Sequence, residues 1–401
     1  MHRLGRPGLA LAAVLLLAGC SAGATAQEPD WKPKQSFQGE GPLPSIPPPS
    51  PPGSTSSAPP SPSLTPRPGS TAGPDPAIVA TRLVAPVGLT IMPDNTALVG
   101  ERTTGRIVQV QPRPGQPVRT VRTIAGIDPA GDGGLLDLAL SPNYQQDNLI
   151  FAYLTTVTDN RVVDFTLHGP VTPVLTGIPR GVTDNAGRIA FGTDGSLYVG
   201  TGDAGRPALA ADPRSLAGKV LRVSDIGRPV PGNPSASSPV FTRGHHVVDG
   251  LCLDPKSGAV LEVEPAGAGA EVNLLRGGDS YASPSTGTGP RAGVQPPVKP
   301  LPAADSAPGG CAVQGGVLYV TSLDGAALLA ASLSVQGSTT AVGDFTASLQ
   351  KKYGRLRTVV AADDGALWLT TSNRDGHGKP VAADERVLRI VPAGAAATYP
   401  G

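Results

Sequence analysis

The sequence lacks an excess of either charge. Lysine and arginine number 32 and aspartate and glutamate number 31, so the formal net charge is +1 at pH 7. No cluster of basic residues stands out, whereas nucleic-acid-binding domains carry a basic patch or stripe. The composition therefore predicts that nucleic acid is not a partner.

The sequence also lacks an apolar run near its start that is long enough to cross a bilayer. Residues 9–18 are apolar, but a membrane-spanning helix needs about 20 such residues. This run follows Arg3 and Arg6 and ends in LAGC, which is the pattern of a signal segment. A cysteine directly after Leu-Ala-Gly resembles the lipobox of bacterial lipoproteins. The resemblance implies removal of residues 1–19, acylation of Cys20, and export to the outer face of the cell membrane with a lipid anchor.

Residues 20–76 lack the apolar content that a folded domain must bury. They are rich in proline, serine, glycine and threonine, as in PSIPPPSPPGSTSSAPPSPS. Such a composition favours an unfolded, partly extended chain. We therefore expect a lipid-attached linker over residues 20–76, a folded domain over residues 77–395, and a short tail over residues 396–401.

From residue 77 onward the sequence lacks any long segment with helical periodicity, which argues against a helical domain. Short apolar runs alternate instead with glycine, aspartate and asparagine turns, and one pattern recurs. Its copies begin at Pro86, Leu135, Asn185, Val248, Pro308 and Leu356. Repeats of roughly 50 residues with about four strands each are typical of β-propeller blades. The sequence predicts an all-β, six-bladed β-propeller, with a pair of β-sandwiches and a β-solenoid as alternatives.

The last copy leaves little chain for an outer strand. The segment AIVATRLV, residues 77–84, precedes the first copy and is available to supply that strand. We therefore expect the two ends of the domain to share one blade.

Cysteine is scarce, with three in the chain, and only Cys252 and Cys311 remain after Cys20. The repeats place these two at equivalent positions, on the first strand of neighbouring blades. A disulfide between blades and two buried free thiols are both consistent with this placement.

The blade residues resemble the soluble glucose and sorbosone dehydrogenase family over most of residues 80–392. The segments that carry the resemblance are GDGGLLDLALSP, AGRIAFGTDGSLYVGTGDAG, LAGKVLRV, RGHHVVDGLCLDP, GRLRTVVAADDGALWLTTSNRDG and RVLRIVP. The resemblance implies sugar oxidation with pyrroloquinoline quinone (PQQ) and calcium.

Some positions depart from the family pattern. The family has a histidine that takes the proton of the sugar hydroxyl, and Asp184 stands in its place. His246 and Val247 replace an arginine and an asparagine that contact the cofactor. The calcium-binding carbonyls correspond to Ala266 and Gly267, in a rearranged stretch.

Other positions match the family. Asp203 corresponds to a site carboxylate, and Asp132 stands where the family has glutamine or glutamate. Arg355 and Arg357 correspond to arginines that face the carboxylates of the quinone.

The departures taken together predict that quinone catalysis is lost and that the propeller binds an envelope glycan, a sugar or a protein. An active dehydrogenase that depends on PQQ and calcium is the first alternative. The second is a lactonase-like hydrolase that uses a metal held by acidic side chains at the channel mouth.

Overall fold

The computed structural model describes residues 75–281, 293–336 and 339–392. The predicted signal segment, Cys20 and most of the linker lie outside these residues. The described residues form six antiparallel sheets, which are the blades of a six-bladed β-propeller. This confirms the predicted fold class.

Each blade runs from an inner strand at the channel to an outer strand at the rim. The first strand of the chain is β1 (Ile78–Ala80). Blade 1 contains β2 (Pro86–Ile91), β3 (Ala97–Glu101), β4 (Arg106–Val110) and β5 (Arg119–Thr123). Blade 2 contains β6 (Leu135–Leu140), β7 (Ile150–Thr155), β8 (Asn160–Phe165) and β9 (Val171–Ile178). Blade 3 contains β10 (Ala186–Phe191), β11 (Leu197–Thr201), β12 (Lys219–Val223) and β13 (Val240–Arg243).

The remaining blades follow the same order. Blade 4 contains β14 (Gly250–Leu253), β15 (Val260–Ala266), β16 (Gly269–Leu275) and β17 (Lys299–Pro300). Blade 5 contains β18 (Pro308–Gln314), β19 (Val317–Ser322), β20 (Ala327–Gln336), β21 (Thr339–Val342) and β22 (Thr346–Ser348). Blade 6 contains β23 (Leu356–Ala361), β24 (Leu367–Thr371) and β25 (Val387–Ile390), to which β1 is added.

The N-terminal strand closes the ring. Strand β1 pairs antiparallel with β25, with Ile78 opposite Leu388 and Ala80 opposite Val387. Blade 6 is therefore built from both ends of the domain, as the sequence predicts.

The hydrophobic core is divided among the boundaries between blades. In the described residues each of the six boundaries has its own cluster of buried apolar side chains. Leu89 and Trp368 lie in the cluster that joins blades 1 and 6, for example. The middle strands read as nearly continuous apolar runs because each of their faces packs against a neighbouring blade.

Blades 4 and 5 are also linked covalently. Cys252 on β14 and Cys311 on β18 form a disulfide with their Cα atoms 5.7 Å apart. Of the two states that the sequence leaves open, the structure has the disulfide.

Helices contribute little to the described residues. They are α1 (Tyr144–Asp147) and α2 (Ala208–Ala211), both of a single turn. Neither is long and apolar enough to cross a membrane.

Candidate active site

Charged residues from the loops before β6, β10 and β14, from the turn after β11 and from the start of β23 gather at one end of the channel. We call this end the polar mouth and define it by Asp132, Asp184, Asp203, His246 and Arg357. These residues come from blades 2, 3, 4 and 6 or from the loops that lead into them. The ring of blades therefore brings together residues that lie far apart in sequence.

The central contact of the polar mouth joins Asp203 to His246. Asp203 follows β11, and His246 lies in the loop between β13 and β14. The imidazole Nδ1 donates to Asp203 Oδ2 over 2.8 Å, and the backbone N–H of Asp203 donates to the carbonyl of His246, also over 2.8 Å. The two loops are thus held together through both side chain and main chain.

The environments of these two residues differ. Asp203 is fully buried, and its other oxygen accepts from the backbone N–H of Gly205 over 2.9 Å. About a quarter of the His246 side chain, 26%, is exposed. The hydrogen bond to Asp203 raises the pKa of His246, against the effect of burial and with help from the charges of Asp184 and Glu264.

Asp184 is held in a left-handed backbone conformation close to this pair. Its φ is 59°, and its carbonyl accepts from the N–H of Ala204 over 2.9 Å. Gly202 makes this close approach possible, because a Cβ atom at that position would lie 1.9 Å from the Asp184 carbonyl oxygen. Asp184 Oδ1 lies 4.0 Å from His246 Nε2, so one substrate hydroxyl can reach both groups.

Asp132 supports the loop that carries Asp184. Its carboxylate accepts from the side-chain amide of Asn185 and, over 3.4 Å, from the Asn185 backbone N–H. Asn185 is buried, and its amide oxygen accepts from the N–H of Gly181 over 2.9 Å. Asp132 therefore positions the loop through Asn185.

The two arginines expected to face a cofactor have different surroundings. Arg355 forms ion pairs with Asp375 over 2.8 Å and with Asp324 over 3.1 Å, so its charge is already matched. The guanidinium of Arg357, which is partly exposed, makes no hydrogen bond or ion pair within the described residues. Its nearest charges include Asp249, and packing around it lowers its pKa. Arg357 is therefore the arginine of this pair that is free to bind an anionic group.

A second histidine lies beneath His246 in a buried acidic cluster. His245 Nδ1 is 3.3 Å from Glu264 and 3.6 Å from Glu262, and all three side chains are buried. Burial opposes protonation of His245, but the two carboxylates outweigh it and raise its pKa. Glu264 also accepts from the backbone N–H of His246 over 2.7 Å. This cluster fixes the main chain that presents the His246 ring.

The stretch expected to bind calcium forms the tip of the β15–β16 hairpin. Ala266 pairs with Gly269 at the end of the ladder, and Gly267 begins the two-residue turn with a φ of 58°. The turn offers main-chain carbonyls, which calcium accepts as ligands.

Arg188 on β10 crosses the channel below the polar mouth. Its Nε donates to the Asp249 carbonyl over 2.7 Å, and its terminal nitrogens donate to the Gly309 carbonyl and, over 3.3 Å, to the Thr358 hydroxyl. Its Nη1 also lies 3.8 Å from Asp137. The side chain thus links blade 3 to blades 2, 5 and 6 and to the start of blade 4.

The groups next to Arg188 are largely shielded from solvent. Thr358 connects Arg188 to blade 1, because its hydroxyl donates to the Val87 carbonyl over 2.6 Å. Burial raises the pKa of Asp137 to about 6, although Arg188 opposes the shift. Desolvation likewise raises the pKa of Asp249 to about 6, against Arg357 and Arg188.

The opposite end of the channel is a cavity of about 720 Å³ that is lined by both apolar and polar groups. Its lining includes residues that follow the inner strands, such as Thr193 and Pro255, whereas Asp132, Asp184 and His246 of the polar mouth precede them. Residues along the strands contribute both apolar side chains, such as Leu89 and Val313, and polar ones, such as Thr90 and Gln314. Arg188 and Asp137 also line this cavity, so they separate two chemically different ends.

Sequence reasoning missed the structural roles of Arg188, His245 and Glu262. A signal was present, because Arg188 and Glu262 are charged residues inside the apolar strand segments AGRIAF and VLEVE. A charge in such a strand is expected to have a buried partner. The sequence did not show which partner it would find.

Comparisons with known proteins agree with this architecture. The sequence profile of the family described as Glucose / Sorbosone dehydrogenase matches residues 83–379. Among solved structures, the PQQ-bound aldose sugar dehydrogenase of Streptomyces coelicolor is 38% identical, with a TM-score of 0.72. The match covers 78% of this chain and 95% of that one. A protein of Thermus thermophilus described as an oxidoreductase and glucose dehydrogenase is 36% identical, with a TM-score of 0.71 over 78% of this chain and 98% of that one.

A curated relative is more distant. Quinoprotein glucose dehydrogenase B of Acinetobacter calcoaceticus is 28% identical over 253 residues, which cover 53% of this chain. The chain spans about half the length of that relative, 52%.

Proposed function

The chain belongs to the glucose and sorbosone dehydrogenase family, and from this premise we propose that its polar mouth oxidises a hydroxyl group of a sugar with a quinone cofactor. The similarity to a PQQ-bound aldose sugar dehydrogenase over almost the whole length of that protein supports the proposal. The proposal differs from the expectation of lost catalysis, and the reason lies in the geometry of the mouth.

The observation that carries the proposal is the guanidinium of Arg357, which has no hydrogen bond or ion pair among the described residues. PQQ has three carboxylates, and a partly desolvated arginine without a protein partner suits one of them. Arg357 meets this description within the described residues, whereas Arg355 does not. When bound, PQQ would supply the acceptor for two electrons and the hydrogen of the oxidised carbon.

The acidic residues of the mouth oppose an anionic cofactor less than the sequence suggests. Burial and the neighbouring Glu262 raise the pKa of Glu264, which reduces its negative charge near neutral pH. The carboxylate of Asp203 is turned toward His246 and the backbone of Gly205, and it is fully buried. A ligand at the mouth therefore meets fewer exposed carboxylate oxygens than a count of acidic residues implies.

The test is a titration of the purified protein with PQQ in calcium buffer, followed by calorimetry and by an aldose oxidation assay with an artificial electron acceptor. We expect saturable binding and turnover. Substituting Arg357→Met should weaken PQQ binding at least about tenfold, because it removes a charge-assisted hydrogen bond worth roughly 1.5–3 kcal/mol. The matched control is Arg389→Met, since Arg389 is an arginine of the same blade that is paired with Asp364.

The second candidate is a propeller that binds an envelope ligand without catalysis. Asp184 and Val247, which replace a histidine and an asparagine of the family, favour it. A folded protein that fails to bind PQQ with calcium present would support this candidate and contradict the dehydrogenase.

We also propose that the protein is exported and lipid-anchored, on the strength of the residues up to Cys20. Metabolic labelling with a fatty-acid analogue should mark the wild-type chain but not a Cys20→Ser variant. Labelling of both, or of neither, would contradict the anchor.

A further inference from the structure

We propose that His246, oriented by Asp203, is the base that takes the proton of the sugar hydroxyl, in place of a histidine at position 184. The inference rests on the proposed dehydrogenase function and names the catalytic residue of that site. The proposed base therefore lies in the loop before β14 of blade 4, whereas position 184 lies in the loop before β10 of blade 3.

The orientation of the His246 ring is the first argument. An ionised carboxylate can only accept, so the 2.8 Å contact with Asp203 fixes the proton of the neutral ring on Nδ1. The lone pair then lies on Nε2, on the side that points to Asp184, 4.0 Å away. A carboxylate behind an imidazole fixes the tautomer and stabilises the imidazolium that forms.

The rigidity of this arrangement is the second argument. Glu264 binds the backbone N–H of His246, and the carbonyl of His246 binds the backbone of Asp203. Asp203 is fully buried and has its second oxygen occupied by the N–H of Gly205. The ring is therefore fixed at Nδ1 by Asp203, and its main chain is fixed at both the N–H and the carbonyl, as preorganised catalytic groups require.

Asp184 is less suited to be the base. Its Oδ2 accepts from the hydroxyl of Thr183 over 2.9 Å, so one of its two oxygens is already occupied. Its other oxygen faces the same space as His246 Nε2. We assign to it the binding of a neighbouring sugar hydroxyl.

In the proposed step the proton of the sugar hydroxyl moves to His246. The O–H bond of the sugar hydroxyl breaks, and an N–H bond forms at His246 Nε2. The carbon–oxygen bond becomes a carbonyl as that carbon loses its hydrogen with the electron pair, and a bound PQQ would be the two-electron acceptor. Asp203 keeps its negative charge and stabilises the imidazolium.

The test compares His246→Ala with the matched control His168→Ala, which removes an exposed histidine between β8 and β9. We expect His246→Ala to lower kcat by about 10²–10⁴ while PQQ binding, measured by calorimetry, is retained. Added imidazole should restore part of the activity of His246→Ala and leave the control unchanged. Asp184→Asn should raise KM and lower kcat less than tenfold.

A readout without cofactor completes the test. In a ¹⁵N NMR spectrum of the protein alone, His246 should show a hydrogen-bonded Nδ1–H that Asp203→Asn shifts and His246→Ala removes. Imidazole that fails to rescue a folded, PQQ-binding His246→Ala variant would overturn the inference, as would a larger kcat loss in Asp184→Asn. Both outcomes leave the proposed function standing, since wild-type turnover tests that separately. A wild-type protein without turnover would overturn the two together.

Discussion

The two ends of the channel are made by the same inner strands yet differ in chemistry. The polar mouth holds the Asp203–His246 pair and the guanidinium of Arg357, and its members lie in the loops before β6, β10 and β14, just after β11 and at the start of β23. Residues along and after the strands line the cavity at the other end, where apolar side chains are mixed with polar ones. Arg188 separates the two.

The difference shows where this fold can change its chemistry. Inner strands are constrained by pairing with the second strand of the blade and by contact with their neighbours. The loops before them are not part of these ladders, so their side chains can be exchanged without loss of pairing. His246 and Asp184 lie in such loops, which is consistent with a base that has moved while Asp203 stayed.

The largest loss of stability is expected at Arg188, which lies between the two ends of the channel. Replacing Arg188 with methionine removes its contacts to Asp249, Gly309 and Thr358 and leaves Asp137 buried without its nearest cation. We expect a loss of about 3–5 kcal/mol in the free energy of unfolding, measured in urea. Arg214→Met is the control, since the Arg214 side chain is 92% exposed and its substitution should leave the midpoint unchanged. A loss below about 1 kcal/mol for Arg188→Met would show that the crossing is dispensable.

The disulfide tests the cavity end of the channel alone. Cys252 and Cys311 line the cavity, so the double substitution Cys252→Ala/Cys311→Ala should destabilise the protein by about 2–4 kcal/mol. PQQ affinity should stay the same, because the polar mouth lies at the other end. Equal urea midpoints for wild type and double variant under oxidising conditions would contradict this prediction.

The pH dependence of stability tests Asp249, whose carbonyl accepts a hydrogen bond from Arg188. The pKa of Asp249 is raised from 3.8 to about 6 in the folded protein, so its contribution to stability is present at low pH and is lost as the pH rises through about 6. Stability of the wild type relative to Asp249→Asn should therefore increase on acidification from pH 7 to pH 4, by at most about 1.4 kcal/mol per pH unit. Urea unfolding of both proteins across this range measures it, and a constant difference would contradict the shift.

The smallest effect is expected at Arg355. Its partners Asp324 and Asp375 form a partly exposed ion-pair group, so Arg355→Met should cost less than about 1 kcal/mol of stability. PQQ binding should be unchanged by calorimetry. An affinity loss equal to that of Arg357→Met would show that both arginines serve the cofactor.

Much of the fold could be predicted from the sequence, because local signals fix it. The repeat copies beginning at Pro86, Leu135, Pro308 and Leu356 coincide with the first residues of β2, β6, β18 and β23. Glycine and aspartate turns mark the strand ends, and apolar runs mark the strands buried between blades. The shared sixth blade followed from counting strands in the last copy.

The site was harder to predict because its contacts join loops of different blades. Asp203 and His246 were each identified, but their hydrogen bond depends on how the loop before β14 returns to the channel. Arg355 and Arg357 look equivalent in the sequence, and only the positions of Asp324 and Asp375 distinguish them. The departures from the family pattern predict lost catalysis when each is counted as a loss, whereas His246 and Asp203 form a pair that only the structure reveals.

The pairing of β1 with β25 has a consequence for the order of folding during synthesis. Strand β1 leaves the ribosome before the blades, but its partner is made after nearly all of them. Until β25 is synthesised, β1 has no partner strand and keeps an open edge. The nascent chain is therefore exposed to incorrect strand pairing. The ring can close only when the last blade is complete, so a chain shortened at either end of the propeller loses the same closure.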